Sequence, residues 1–589
     1  MRPRTIQWLG FAAAALGMVL AIYCLMPEVF INTRTVILGA EADGLKTYFT
    51  FLYHVKFDDL YTQFGGMNYP FGEHIIFTDN QPVAVMFSQT LKNFGLPLSN
   101  PQLVLNLLIV CSLVLTAPVL FLIFRKLRIP PAFAVASSIV ITLMAPQILR
   151  FPYHEGLAHT VFIPLTWLLI LNFFEKPKFA ISATLAAFLL FTSGIHPYCL
   201  LINTSFVIAA WAGRLLTERT SRSKLFATHF LIQVCSPLAA YTVWTKLTDS
   251  IVDRVNPGAS SLYYRAHFES IFLPYVGSPF RPYLDKVLRL HKELPIESIA
   301  YVGCLASLIL LFTLFRVFRK FRTRVFISRP LLRARNWKLQ ISIFAGFITL
   351  IYSLGYPWII IGESFFLKMG VLSQFRALGR FAWIFFYVFS VFSFYRVFVI
   401  NRMLKMRGRT ALARTLVIMA FAVSSFEALS WSRPVFTALN ESAKLKKSLD
   451  FSPELKDLIS KENLDSYQAF IPLPFFQAGS EGVIPRDFRE RENPISFQDS
   501  VGVAYKTGLP MVAQALSRTS ISQSKSTFAL FTGASEKRLF VESLPNNRPI
   551  LIIVGPEKLH AVESQFLKHR KLLRRSKNYG LYVIDISEI

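Results

Sequence analysis

Residues 103–124, LVLNLLIVCSLVLTAPVLFLIF, run without one charged side chain and stop against Arg125-Lys126-Leu127-Arg128. Such a run is long enough for an α-helix to cross the hydrocarbon core of a bilayer, which takes ~20 residues. Comparable apolar runs fall near 8–26, 131–149, 160–174, 179–195, 197–213, 225–244, 297–315, 339–358, 380–400 and 412–431, so the chain reads as about eleven spans. Composition agrees. Hydrophobic residues make up 53% and charged residues 17%, against roughly 25% charged in soluble domains, and mean hydropathy is +0.43.

The net charge of +28 invites a nucleic-acid reading, but its distribution excludes one. Lys and Arg gather in every second inter-span loop: the Met1–Arg4 end, Arg125–Arg128, Lys176/Lys178, Arg214–Lys224, Arg316–Lys338 and Arg402–Arg414. That alternation is the positive-inside pattern. It predicts a cytoplasmic N-terminus and, with an odd number of spans, a C-terminus outside. Arg316–Lys338 reads as an orientation anchor, with an anionic-lipid site as the sharper alternative. The first span has a longer apolar core than a cleavable signal and no small-x-small site after it, so it is expected to stay as a helix. Cys24, Cys111, Cys199, Cys235 and Cys304 all fall in or beside spans, which leaves no disulfide framework.

Four elements are predicted on the outer side. The first is the loop 27–102, which opens on Glu41-Ala42-Asp43-Gly44 and also carries Glu73, His74, Asp79 and Asn80. Leu45, Tyr48, Phe49, Leu52 and Val55 follow helical spacing. An amphipathic helix in the membrane interface is expected, with Asp43 at its head as capping acid, catalytic acid or both. The second is Leu149–His159. Its His154-Glu155-Gly156-Leu157-Ala158-His159 spacing sets the histidines five apart, so the zinc-protease motif is rejected. With His196 these histidines could bind a metal, but ordinary hydrogen bonding is the commoner role.

The third is the loop 245–296, where Tyr263-Tyr264-Arg265-Ala266-His267 suits an interfacial helix or a sugar-phosphate contact. The fourth is Leu372–Phe381. Arg376 and Arg380 are four apart, so on a helix they face one way. Two cations at an outer helix start run against the positive-inside trend and the helix dipole unless an anion sits there. Guanidinium also suits planar recognition of phosphate, with snorkelling to lipid headgroups as the bland alternative. From about residue 432 the composition becomes that of a soluble domain, taken as 432–589. Strand-like runs at 467–472, 549–554 and 580–585, with helical patterns at 453–461 and 557–573, predict a small exported α/β domain.

With Glu41 and Asp43 after the first span and the arginine pair before the tenth, the chain resembles the GT-C type glycosyltransferases and is similar to bacterial multi-pass membrane proteins of that type. The resemblance covers residues 1–431. It implies a GT-C-like α-helical multi-pass fold in the cell inner membrane and an enzyme that takes sugar from a polyprenyl-phosphate donor. Asp43, with Glu41 as the weaker candidate, would act as base or align the acceptor, and Glu73, Asp79 or Glu155 would assist. Arg376 and Arg380 would hold the lipid phosphate, and His154, His196 and Arg265 would line the substrate. Partners would be membrane lipid, the polyprenyl-phosphate-linked sugar donor and an unidentified acceptor. The family's sharper Asp-x-Asp or Glu-Asp motif is here Glu-x-Asp-Gly, which leaves open whether a divalent cation takes part. The competing classes are a transporter or flippase of a lipid-linked or anionic substrate, and a non-catalytic cell-envelope assembly protein. Ser353–Pro357 as a helix break, and Glu427 inside the last span, favour the transporter.

Overall fold

The computed structural model describes residues 3–39, 42–95, 100–217, 223–255, 262–274, 281–288, 294–322, 336–444, 449–480, 482–489 and 495–589. Glu41 and most of Arg316–Lys338 lie outside the described residues.

The chain is a multi-pass membrane protein. Among the described residues, eight helices are long and apolar enough to cross a bilayer: Thr5–Leu25, Pro101–Lys126, Pro131–Arg150, Glu155–Glu175, Pro197–Thr217, Trp337–Ile361, Leu378–Met406 and Thr410–Lys444. Phe179–Ser193 and Cys304–Arg316 are shorter apolar helices. The remaining expected span, 225–244, falls on Ser223–Phe230, a π-helical turn at Leu231–Cys235, and Ser236–Thr248. The last long helix does not stop near 431. It continues to Lys444, because its polar end still buries Trp431, Phe436 and Leu439 and Asn440 accepts from the Glu28 N–H at 2.8 Å.

The loop 27–102 holds helices Ala42–Phe57 and Pro82–Asn93 and a two-residue hairpin pairing Gln63–Phe64 with Glu73–His74. The first helix differs from the expected interfacial one. Every residue from Gly44 to Val55 is buried, because it packs on Pro82–Asn93, Pro101–Lys126 and, from the C-terminal region, Ile495–Thr507. Its threonines satisfy themselves locally, as Thr50 does by donating to Lys46 O at 3.0 Å, so it needs no polar face in water.

The C-terminal region is a four-stranded mixed sheet in the order 469–473, 550–554, 580–584, 571–575. The first pair is parallel and the others antiparallel. The expected strands are present, but the helix predicted over 557–573 is confined to Ala561–Lys568. Lys571–Arg575 instead forms an exposed edge strand on Gly580–Ile584. Its charged residues suit an edge, which charges protect against further pairing.

This domain is sewn onto the long loop through backbone bonds. Met511 N–H donates to Gly66 O at 3.2 Å, Tyr69 N–H to Met511 O at 3.1 Å, and Ser517 N–H to Phe77 O at 2.9 Å. Asp253 adds a second seam, accepting from Ser520 Oγ at 2.6 Å and from the Ser522 N–H at 2.7 Å. Ile552 sits at the centre of the sheet, fully buried between Ile471 and Tyr582. Ile552→Ala is expected to cost about 2–5 kcal/mol, read as a lower Tm of the detergent-purified protein. An unchanged Tm would contradict this placement of the core.

Candidate functional site

Asp43 lies inside the first turn of Ala42–Phe57 rather than ahead of it. Its Oδ1 accepts from Lys46 Nζ at 2.8 Å. Lys46 is one turn further along, and helical side chains three apart share a face. The same ammonium reaches Asp79 Oδ2, also at 2.8 Å. Asp79 stands just before the helix Pro82–Asn93 with φ of +61°, a left-handed conformation that Asp tolerates better than most residues. Thr78 O is pinned there by Thr50 Oγ1 at 3.1 Å.

The motif's glycine follows from close backbone packing. A Cβ on Gly44 would come within 2.5 Å of Gly39 Cα and 2.6 Å of Pro152 O. Beneath these glycines lies the fully buried Glu155 carboxyl, whose Oε1 would be 2.9 Å from that Cβ.

Two histidines flank the acids. His154 Nε2 is 3.6 Å from Asp43 Oδ2, and His196 Nε2 is 3.9 Å from Asp79 Oδ1. Asp79 Oδ1 also accepts from Ser517 of the C-terminal domain at 3.4 Å. Asp43 therefore keeps the freer carboxylate, with 48% of its side-chain surface open against 23% for Asp79. Burial opposes charge on both acids, but Lys46 outweighs it. Asp43, aided by His154, is held below the ordinary carboxylate range, and Asp79, aided by His196, falls to about 2. Lys46 is raised by the two carboxylates despite its burial. Burial depresses His154 to about 4 and His196 to about 3, so both imidazoles are neutral at pH 7.

The other side of the histidines is cationic. Arg150 donates to Glu297 Oε1 at 3.3 Å and to Ile296 O at 2.6 Å, and Arg380 NH2 lies 3.6 Å from the same Glu297 oxygen. The Arg380 guanidinium stacks over Tyr198 at 4.4 Å, and Arg376 lies 5.8 Å from the Tyr264 ring centroid. Burial disfavours the Glu297 charge, yet the two guanidiniums keep its pKa lowered. Buried Nε–H groups of Arg150 and Arg380 have no hydrogen-bond partner among the described residues. Gly379 lets this corner close, since a Cβ there would meet Glu297 O at 2.6 Å and Tyr264 O at 3.0 Å. His154 lies within electrostatic reach of Asp43, Asp79, Arg380 and Arg150, and His196 of Asp79, Arg380 and Lys46.

Several sequence expectations change here. The spacing of Arg376 and Arg380 does not put them on one helical face, because Ala377 sits in a tight turn closed by the Leu378 N–H donating to Arg376 O at 2.9 Å and Leu378–Phe381 is a 3₁₀ turn. They meet around Tyr198 instead, which lies within reach of both charges. Glu73 is spent elsewhere: it is buried and paired with Arg254 at 2.6 Å, as is Asp249 at 2.7 Å. Arg265 packs against Gly355, its Cδ 3.2 Å from where a Cβ would sit. His159 donates to or accepts from Gln81 at 3.1 Å and stacks on Phe162. Among the described residues, no group of three or more His, Cys, Asp or Glu could hold a metal ion. Sequence reasoning missed Lys46, Arg150, Glu297 and Ser517. For Lys46 the signal was available in its i,i+3 relation to Asp43. The others meet only through the tertiary fold.

A multi-pass helical membrane protein with a mixed α/β domain bound to its longest loop is what the fold and this polar centre define. The chain belongs to the family described as a domain of unknown function, DUF6311, which matches residues 14–424. No curated protein matches the sequence. Similar solved structures include the apo Archaeoglobus fulgidus oligosaccharyltransferase, at 12% identity and TM-score 0.46 over 94% of this chain and 70% of that one. The A. fulgidus oligosaccharyltransferase AglB, in complex with an inhibitory peptide and a dolichol-phosphate, is similar at 14% and 0.42 over 93% and 69%. Apo ArnT from Cupriavidus metallidurans is similar at 10% and 0.42 over 97% and 98%.

The depressed histidines give the site a definite acid response. Unfolded, each imidazole takes up a proton near 6.5, while folded it resists until about 4 or 3. The unfolded chain therefore binds more protons below pH 6.5, and stability falls as pH drops through that window. Between pH 7 and 5 the two aspartates contribute nothing to this, since they stay ionised in both states. A His154→Gln/His196→Gln double variant should lose less Tm than wild type between pH 7 and 5. An equal or larger loss would contradict neutral imidazoles at this site.

Proposed function

We propose that this protein is an integral membrane glycosyltransferase of GT-C type. It moves a sugar from a polyprenyl-phosphate donor to a hydroxyl of a glycan, lipid or protein acceptor on the non-cytoplasmic side. The observation that carries the reading is the pairing of two opposite centres across His154 and His196. One is an ionised carboxylate, Asp43, with an open oxygen. The other gathers the guanidiniums of Arg150 and Arg380 on the Glu297 carboxylate, with Arg376 nearby around Tyr198 and Tyr264. The positive-inside pattern supports an outer position for both and a cytoplasmic N-terminus.

The chemistry follows from that arrangement. The donor enters laterally from the bilayer with its phosphate against Arg376 and Arg380, where guanidinium geometry matches phosphate oxygens. The acceptor lies against Asp43 Oδ2, the oxygen that Lys46 leaves unused. As the acceptor attacks the anomeric carbon, Asp43 takes its proton and the bond from that carbon to the phosphate oxygen breaks. The leaving polyprenyl phosphate keeps the electron pair, and the arginines stabilise its growing charge, an electrostatic term that strengthens where water is excluded. Attack opposite the leaving group inverts the anomeric configuration. The transporter reading loses its best acid, because Glu427 is bound by Tyr301 at 2.5 Å and by the Cys304 N–H at 3.0 Å.

Transfer from a panel of polyprenyl-phosphate sugars, with full-length protein in nanodiscs, tests the proposal. Asp43→Asn should lower transfer by roughly 10²–10⁴-fold, the usual range for losing a general base, with insertion and Tm near wild type. Arg380→Ala should act mainly by raising the donor KM. Transfer by Asp43→Asn within tenfold of wild type would sink the assignment.

A further inference from the structure

We propose that the ammonium of Lys46 is this site's built-in cation, standing where a divalent metal would bridge the two acids, and that the centre works without a bound metal ion. The catalytic consequence rests on the transferase reading above; the statement about metal binding does not.

The geometry is that of an occupied cation position. Lys46 Nζ lies 2.8 Å from Asp43 Oδ1 and 2.8 Å from Asp79 Oδ2. Its side chain is 6% exposed, so the ammonium is held in place and not sampling solvent. It thereby links an acid on the helix Ala42–Phe57 to one on the turn before Pro82–Asn93. A divalent ion bridging these carboxylates would need oxygen ligands at about 2.0–2.6 Å. It would sit beside an ammonium already bonded to the same atoms, and like charges repel strongly where water is scarce.

The remaining groups do not supply an alternative cage. Asp79 Oδ1 is turned toward His196 at 3.9 Å and Ser517 at 3.4 Å, whereas Asp43 Oδ2 faces His154 at 3.6 Å. Among the described residues, no group of three or more His, Cys, Asp or Glu gathers into a metal cage, at this centre or elsewhere.

A tethered ammonium differs from a metal ion in what it does for Asp43. It neutralises one of two neighbouring carboxylates, which lets both stay ionised side by side. It takes one oxygen of Asp43 and leaves the other a Brønsted base. A bridging divalent ion would instead bind the acid as a ligand and weaken its basicity. The charge also arrives with the fold, independent of metal supply.

Mn²⁺ titration followed by electron paramagnetic resonance tests this on purified full-length protein, with no need for sugar transfer. Wild type should show no saturable Mn²⁺ site tighter than about 1 mM, the weak end of oxygen-ligand cation sites. Lys46→Asn, which vacates the position between the acids, should gain such a site, and adding Asp79→Asn should remove it again. The proposal is overturned by a saturable wild-type site that Asp43→Asn or Asp79→Asn abolishes. It is equally overturned if Lys46→Asn keeps the wild-type Tm and gains no Mn²⁺. Failure of glycosyl transfer would bear on the proposed function and leave these outcomes as they are.

Discussion

The contact of Lys46 with Asp43 and Asp79 is the constraint around which the site is built. Two carboxylates this close to a common point repel one another, and burial further penalises each charge. The shared ammonium reverses both penalties and keeps the acids ionised. Lys46 in turn is kept in place because its helix is buried on every side from Gly44 to Val55. That burial depends on the C-terminal domain, whose helix Ile495–Thr507 packs on the same helix and whose Ser517 reaches Asp79. The C-terminal region is therefore part of the site's wall and not a separate module on a tether.

On the opposite side a second buried network works with the signs exchanged. Glu297 lies between Arg150 and Arg380 and contacts both guanidiniums, with Arg376 close by around Tyr198. Neutral His154 and His196 separate the two networks without adding charge of their own. On the proposed function, this division into an acidic and an arginine-rich half, with the imidazoles between them, puts the base on one side and the anion holder on the other.

The membrane class was legible in the sequence because a bilayer imposes a length and an apolarity that no tertiary contact can replace. The strands 469–473, 550–554 and 580–584 were legible for a similar reason, as compact apolar runs bounded by turns. Asp43 was named a candidate through its place after the first span, and Asp79, His154 and His196 from the side of the membrane that the charge pattern predicts for them. What pattern could not supply was pairing. Glu73 looked equivalent to Asp79 until the fold gave it Arg254. Arg376 and Arg380 suggested one helical face, and a tight turn at Ala377 broke the register while tertiary packing brought both to Tyr198. Glu297 and Ser517 carry no local signal, since their roles exist only where distant segments meet.

The central claim is that the acids and the arginines face one substrate from two sides. The most direct measurement is a cryo-electron microscopy map of the full-length protein in nanodiscs with a short-chain polyprenyl phosphate. The account predicts the phosphate within hydrogen-bonding distance of Arg376 and Arg380, with Asp43 Oδ2 turned toward the space beyond it. A lipid phosphate bound away from both arginines, or one whose path to Asp43 is blocked by protein, would contradict it.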